Sequence, residues 1–429
     1  MYLNDIEDYF ILNGFEGVDI GHLKMFLLLY ADDIVILSET EDGLHKGLLL
    51  LESYCDKWRL TVNIKKTKIM IFRKGRLRQN ISFFYKGEKL EIVEKFTYLG
   101  IVFTTGGSFN NAFETLSGQA IKALHKLQLD LNKFPCITVK HKLDLFDKLI
   151  SPILNYASEV SGIYDCSKLE KVHLHFCKKL LGVRIQTQNN FIYGELGRTS
   201  LKCTRIINVI KYWLKIIQLD DIKYVKKIYD LLYSQLDIRP NKKSWVSDVR
   251  DILQSLGFND VWLLQGVGNV DIFINVIKQR ANDVFVQNWF SELHSSTRAR
   301  SYLLFADFKL QKYLKCINID KFRIALSRLR VSSHRLENET GRWNKPIAIP
   351  FHDRKCKHCS ILEDEFHFIL ECSLYTALRK KYINKYFWKS PNIPKFIELM
   401  QSENEIETRN LSMYILKAFE LRNNILYDQ

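Results

Sequence analysis

No apolar run in this sequence approaches the roughly 20 residues that cross a bilayer; stretches such as Met25 to Leu29 are far too short, which excludes a membrane-spanning helix. The N-terminus, opening Met1-Tyr2-Leu3-Asn4, has neither a basic leader nor an apolar core, which excludes a secretory signal. An intracellular protein, nuclear or cytoplasmic, is therefore expected. The nine cysteines are mostly scattered singly, unlike a secreted disulfide framework. Only Cys356, Cys359 and Cys372 lie close together. No self-similar period emerges, which excludes a solenoid. Acidic residues are also in deficit, with 48 Asp and Glu against 63 Lys and Arg. The resulting net charge of +15 favours a polyanionic partner through counterion release, the alternative being a merely soluble basic protein.

What is present describes a folded chain of several cores, with 47% hydrophobic and 13% aromatic residues over 429 positions. Residues 1–104 read as mixed α/β. Leu44, Leu48, Leu51, Cys55 and Trp58 recur at helical spacing and predict a helix over 41–59 with one buried face. Short apolar or β-rich runs predict strands at 25–30, 34–38, 68–72, 81–85 and 96–103, with a hairpin turn at Lys86-Gly87-Glu88. After Gly106-Gly107 the texture becomes helical almost to residue 340, with stripes such as Leu124, Leu127, Leu131 and Leu143, Phe146, Ile150, the latter disturbed or ended by Pro152. Breaks are expected near 236–245 and 337–354, where polar residues, proline and glycine gather.

Within Met25 to Ser38, Asp32 and Asp33 stand side by side between two apolar runs. Two acids there are unfavourable unless they sit at a hairpin tip facing water or a metal. Nucleotidyl transfer gives a reason for such a tip, because two Mg²⁺ ions need hard oxygen ligands on a rigid support. The bare tetrapeptide Tyr30-Ala31-Asp32-Asp33 would equally suit an ordinary acidic turn; its surroundings decide. Asn63-Ile64-Lys65-Lys66-Thr67-Lys68 follows the predicted helix, and then comes Phe96-Thr97-Tyr98-Leu99-Gly100.

That order resembles the palm of LINE-type, non-long-terminal-repeat retrotransposon reverse transcriptases. The resemblance implies an α+β fold: a partial palm with an antiparallel sheet and helices, then a mainly helical thumb and C-terminal region with a small zinc element. It implies that Asp32 is the principal ligand for Mg²⁺ or Mn²⁺, with Asp33 supporting it. Lys66 would lie near the incoming triphosphate, or else be a solvated lysine on a basic strand. Phe96, Tyr98, Leu99 and Gly100 would form the primer grip. Nine basic residues against Glu88 alone between Lys65 and Lys89 suggest a phosphate track, including Lys65, Lys68, Arg73, Lys74, Arg76 and Arg78.

The family also uses an aspartate on a separate upstream palm strand and fingers that hold the nucleotide. Upstream of Asp32 only Asp5, Asp8 and Asp19 are available, the first two on an expected surface helix from Tyr2 to about Leu12 and the third in an expected glycine-rich loop. None fits that role, so the chain is expected to begin just past the template-grip motif and to bind RNA and DNA template-primer without polymerising alone. An incomplete palm sheet also exposes an edge, from which self-association is expected.

Cys356-Lys357-His358-Cys359 followed by His367 and Cys372 spells C-x2-C-x7-H-x4-C. Thiolates and imidazole at this spacing suit tetrahedral Zn²⁺, and four protein ligands make a closed, structural site. Reduced, unligated cysteines are the alternative. The element resembles the Cys-Cys-His-Cys region near the C-terminus of the same reverse transcriptases. His352 and His358 are rival ligands, the latter expected to face solvent.

The middle carries the least chemistry. Lys122, His125, Lys126 and Lys133 either face phosphate or are a solvated helix face. Phe176 to Val183 and Tyr193 to Arg198 resemble the linker of these elements, while Trp213, Trp245, Trp262 and Trp289 read as helix-packing residues. The expected division is a truncated palm at 1–106, thumb and linker at 107–236, a helical region at 237–345 and the zinc-bearing element at 346–429. Two other classes remain open: a non-catalytic nucleic-acid-binding protein using thumb and zinc element, and a helical interaction protein whose charge is incidental.

Overall fold

The helical stripe read from Leu44 onward forms one element of a mixed α+β chain. The computed structural model describes residues 5–21, 23–73, 75, 81–134, 137–239, 242–344 and 346–427. Two units result: Met1–Thr115 with Ala157–Tyr164 and Asn208–Phe273, and Leu116–Tyr156 with Asp165–Ile207 and Ile274–Gln429.

The first unit begins with helix α1 (Ile6–Leu12) and hairpin β1 (Val18–Ile20)/β2 (Leu23–Met25). Hairpin β3 (Leu27–Tyr30)/β4 (Asp33–Ile36) follows. Helix α2 (Glu41–Trp58) starts at Thr40, whose hydroxyl accepts from the Gly43 N–H at 3.0 Å, with Glu41 and Asp42 at the positive end of the helix dipole. It ends where Arg59 turns left-handed at φ 56°. Its inner face buries Gly47, Leu48, Leu51, Tyr54 and Cys55; Leu44 is half-buried and Trp58 is exposed. Each such leucine stabilises the unit by about 1.5–3 kcal/mol. A Cβ at Gly47 would lie 2.8 Å from the Phe15 ring, so the missing side chain lets α2 approach the segment entering the hairpins. The Tyr54 hydroxyl donates to Asp5 at 2.5 Å, tying α1 to α2.

Beyond α2, β5 (Lys68–Ile69) runs parallel to β7 (Glu88–Ile92), which pairs antiparallel with β6 (Phe83–Tyr85). Lys86 and Gly87, both at positive φ, make the two-residue turn between them. The core joins Ile6, Phe10, Phe26 and Leu27 to Leu51, Ile69, Phe83 and Leu90. Thus the described strands form four small sheets, one with a parallel pairing, instead of a single antiparallel sheet.

Two expectations need correction. The expected strand 96–103 is a hairpin, β8 (Lys95–Tyr98)/β9 (Ile101–Thr104), because Leu99 and Gly100 adopt φ of 47° and 77° and reverse the chain. Asp19 lies on β1, exposed, not in a loop; its N–H donates to Glu39, and the neighbouring Gly17 and Gly21 supply the positive-φ turns around the strand. Residues Tyr2 to Asn4 of the expected first helix lie outside the described residues, as do Lys74, Arg76 and Arg78.

Helices Tyr224–Ile238, Trp245–Ser255 and Asn259–Leu264 complete this unit. Trp213 and Trp262 are buried in it, Trp213 donating to the Tyr229 hydroxyl at 2.9 Å, and Trp245 donates to the Glu159 carbonyl. The second unit is helical, with Leu124, Leu127, Leu143, Phe146 and Ile150 buried as their spacing predicts. Pro152 does end the 139–149 helix and opens the short helix Ser151–Leu154. Trp289 is buried there and donates to the Asn190 carbonyl.

Candidate active site and metal centre

The β3/β4 register pairs Tyr30 with Asp33, leaving Ala31 and Asp32 as a two-residue tip. Ala31 holds φ at 54°, a region non-glycine residues seldom occupy and one that gathers at functional turns. Asp32 and Asp33 are both exposed. The β8/β9 hairpin carries exposed Phe96, Leu99, Gly100 and Phe103 and half-buried Tyr98. Burial and, after it, the charge of Asp33 raise the Tyr98 phenol above its ordinary pKa. Two motifs some 65 residues apart in sequence thus lie within electrostatic reach of each other. Among the described residues no group of three or more His, Cys, Asp or Glu ligands gathers at this turn.

Asn63 explains the spacing of the Asn-x-x-Lys-Thr segment. Its side-chain oxygen and carbonyl both accept from the Lys66 N–H, at 3.2 and 3.0 Å, and its carbonyl also takes the Thr67 hydroxyl. This turn leaves Lys65 and Lys66 exposed. Lys68 instead pairs with Glu91 at 2.7 Å and Arg73 with Glu94 at 3.4 Å, so two cations of the expected track are partly neutralised by glutamates just past the end of the counted segment.

Cys356, Cys359, His367 and Cys372 converge with all four ligand atoms within 4.8 Å of one another. The Cys356–Cys372 and Cys359–Cys372 sulfur separations are 4.0 and 3.6 Å. A tetrahedron with 2.3 Å Zn–S bonds has an edge of about 3.8 Å, whereas a disulfide brings sulfurs to about 2.05 Å. The buried His367 Nε2 has no hydrogen-bond partner, while Nδ1 faces Glu371 at 3.4 Å. An orphaned imidazole nitrogen beside three thiols is a donor set that fits Zn²⁺. Burial lowers the His367 pKa and raises that of Cys372, whereas Cys359 is lowered, its burial outweighed by the Ser373 hydroxyl and N–H. Ser360, left-handed at φ 58°, closes the first knuckle, and Arg379 holds the Cys372 carbonyl at 2.7 Å. His352 and His358 are exposed and outside the cluster.

Between the cysteine pair and His367, Glu363 and Glu365 are buried. Glu363 accepts from Arg422 at 2.6 Å, and Glu365 is held by His334 at 2.9 Å with Ser301 and Ser332. Burial alone would raise the Glu365 carboxyl, but these partners bring it down to about 2. The element is therefore sewn into the helices of its unit. The Tyr193–Arg198 segment, likened to a linker from sequence but given no mechanism, supplies a second anchor: Glu195 pairs bidentately with Arg330, at 2.9 and 3.0 Å, both fully buried. A glutamate inside the apolar run Phe191–Leu196 was the available signal, since a buried acid requires a partner.

These features comprise an acidic hairpin tip and a Cys-Cys-His-Cys cluster that could hold a metal ion. Residues 3–103 match the family described as reverse transcriptase (RNA-dependent DNA polymerase). The chain is 23% identical over 163 residues to the RNA-directed DNA polymerase from mobile element jockey of Drosophila funebris, a match covering 37% of this chain and 18% of that protein. It is 25% identical over 158 residues to the probable RNA-directed DNA polymerase from transposon BS of Drosophila melanogaster, covering 35% and 17%. The resemblance to non-long-terminal-repeat reverse transcriptases read from the motifs is thereby borne out. The chain spans less than a fifth of the length of these curated relatives.

Proposed function

We propose that the first unit is the downstream part of a reverse-transcriptase palm and that the chain engages an RNA–DNA template-primer there. The two-residue Ala31-Asp32 hairpin tip, lying within the segment that matches the reverse-transcriptase family, carries this reading. Asp32 is the principal ligand for Mg²⁺ or Mn²⁺ and Asp33 its support; such an ion supplies charge neutralisation at the reacting phosphate. Phe96, Tyr98, Leu99 and Gly100 grip the primer end. Lys65 and Lys66 meet phosphate, with Lys66 nearest the triphosphate, while Lys68 and Arg73 contribute less because each is already paired. Residues 107–236 act as thumb and linker, 237–345 as a helical region, and 346–429 carry a structural Zn²⁺. The two-stranded β3/β4 ladder leaves backbone edges for a further strand, so self-association belongs to this proposal.

Two metals need more carboxylate than one turn offers, and among the described residues none joins Asp32 and Asp33. The chain alone is accordingly proposed to bind without extending a primer. The same observation favours a second reading, a non-catalytic nucleic-acid-binding protein using its basic helices and zinc element. Fluorescence anisotropy with a labelled RNA–DNA template-primer separates the two. The palm reading expects Mn²⁺ to tighten binding several-fold and Asp32→Asn to remove that gain. Binding that ignores both Mn²⁺ and the substitution supports the second reading.

A further inference from the structure

Beside the Cys-Cys-His-Cys centre, the second unit carries a surface that palm chemistry does not use. Trp343 closes a short 3-10 turn after Gly341 and is 61% exposed, although tryptophan is ordinarily well covered. The Arg298 guanidinium lies 5.2 Å from its ring centroid. Arg300 stacks 4.0 Å over the Phe351 ring, which the exposed His352 meets edge-on at 5.4 Å. Ile347, 77% exposed, lies between them in the chain.

The charges here are not paired one for one. Glu339, itself buried, accepts from both Arg298 and Arg342, at 3.2 and 2.9 Å. Arg354 packs across Gly341, where a Cβ would lie 2.8 Å from its Cγ, and gives its guanidinium to the Ile349 and Asn338 carbonyls within electrostatic reach of Arg342 and Arg300. Arg300 has no ion-pair partner among the described residues. Arg298, Arg300 and Arg342, with Arg354 buried beside them, thus stand against Glu339 and the exposed Asp353, leaving a cationic surface around the exposed Trp343 ring.

We infer that Trp343, Arg298, Arg300 and Phe351 form a platform for single-stranded nucleic acid. The exposed Trp343 ring can stack on an unpaired base of any sequence, while the arginines, Arg300 backed by the half-buried Phe351 ring, neutralise the backbone and stack themselves. A duplex hides its base faces, and RNA offers them in loops and ends. An acidic peptide would satisfy the arginines but not the rings. The platform belongs to the second unit and the Asp32 turn to the first, so the inference stands whether or not Asp32 holds a metal.

The test is anisotropy of a labelled single-stranded oligoribonucleotide with the full chain. Trp343→Ala is expected to weaken binding roughly ten-fold, the size of one lost base stack, and Trp343→Phe to restore most of it. Arg300→Gln is expected to reduce the slope of log affinity against log salt by about 0.7, one single-strand phosphate contact. Unchanged melting temperature in all three variants shows that folding is intact; where Trp343→Ala unfolds the chain, crosslinking of a 4-thiouridine oligonucleotide to Trp343 in the native protein decides instead. Equal binding by wild type and Trp343→Ala, no crosslink at Trp343, or equal affinity for duplex RNA or a polyglutamate peptide overturns the inference, while a single-stranded DNA arm shows which of the two nucleic acids the platform favours.

Discussion

Gly47 shows how one atom sets the approach of a helix to its neighbours. Alanine would gain up to about 1 kcal/mol of helix propensity there, but its Cβ would press the buried Phe15 ring at 2.8 Å and Ile36 at 3.1 Å. Overpacking of that kind costs about 1–3 kcal/mol and wins. Gly47→Ala is expected to lower the melting temperature by a few degrees, read by calorimetry; an unchanged or raised value contradicts the packing account. Glu170 offers a pH test. Burial raises its carboxyl, but the His173 hydrogen bond and charge, the Tyr193 hydroxyl and the Leu201 N–H together bring its pKa below the ordinary value. A depressed carboxylate stabilises the fold above its unfolded pKa and loses that contribution as pH falls through its folded one. Acid should therefore weaken the second unit below the usual carboxylate range, about pH 4.3, and Glu170→Gln should flatten that limb while lowering stability at neutral pH. An unaltered acid limb in urea titrations at several pH values contradicts this. Gly47 was not legible beforehand, because it matters through Phe15, 32 positions away, and for Glu170 only the nearby His173 was, since Tyr193 and Leu201 lie 23 and 31 positions on.

At the scale of elements, the sequence spoke clearly wherever periodicity was strong. Helix α2 emerged at 41–58 against an expected 41–59, and the Lys86-Gly87 turn appeared where glycine permitted it. The Tyr98-Leu99-Gly100 segment misled because leucine rarely accepts a left-handed turn, so the run 96–103 read as one strand. Holding Leu99 at φ 47° costs about 1 kcal/mol, and the side chain stays 40% exposed at the tip. Leu99→Gly is accordingly expected to leave stability unchanged or slightly raised while weakening template-primer affinity; a loss of stability with unchanged affinity would show that Leu99 serves packing alone. The Cys-Cys-His-Cys spacing was legible as a metal set, but its burial was not. Because Glu363 and Glu365 anchor the element to Arg422 and His334, chelation should loosen 355–375 without releasing those anchors. Hydrogen exchange is expected to rise within that segment and stay low around Arg422; exchange indifferent to the chelator contradicts the zinc assignment.

For the molecule as a whole, the charge of +15 pointed to a polyanion, but its distribution was not readable from the chain. Lys68 pairs with Glu91 on a neighbouring strand and Arg73 with Glu94 just beyond it, whereas Lys65 and Lys66 are freed by the Asn63 turn. Replacing Lys65 and Lys66 by alanine should therefore reduce the salt dependence of template-primer binding by roughly one unit of slope each, and replacing Lys68 and Arg73 by less. The central claim, that the Ala31-Asp32 tip is a metal-holding reverse-transcriptase turn, is tested most directly by electron paramagnetic resonance of Mn²⁺ titrated into the chain with template-primer bound. Bound Mn²⁺ that disappears in Asp32→Asn and weakens in Asp33→Asn is the predicted result; identical Mn²⁺ binding in wild type and Asp32→Asn would contradict it.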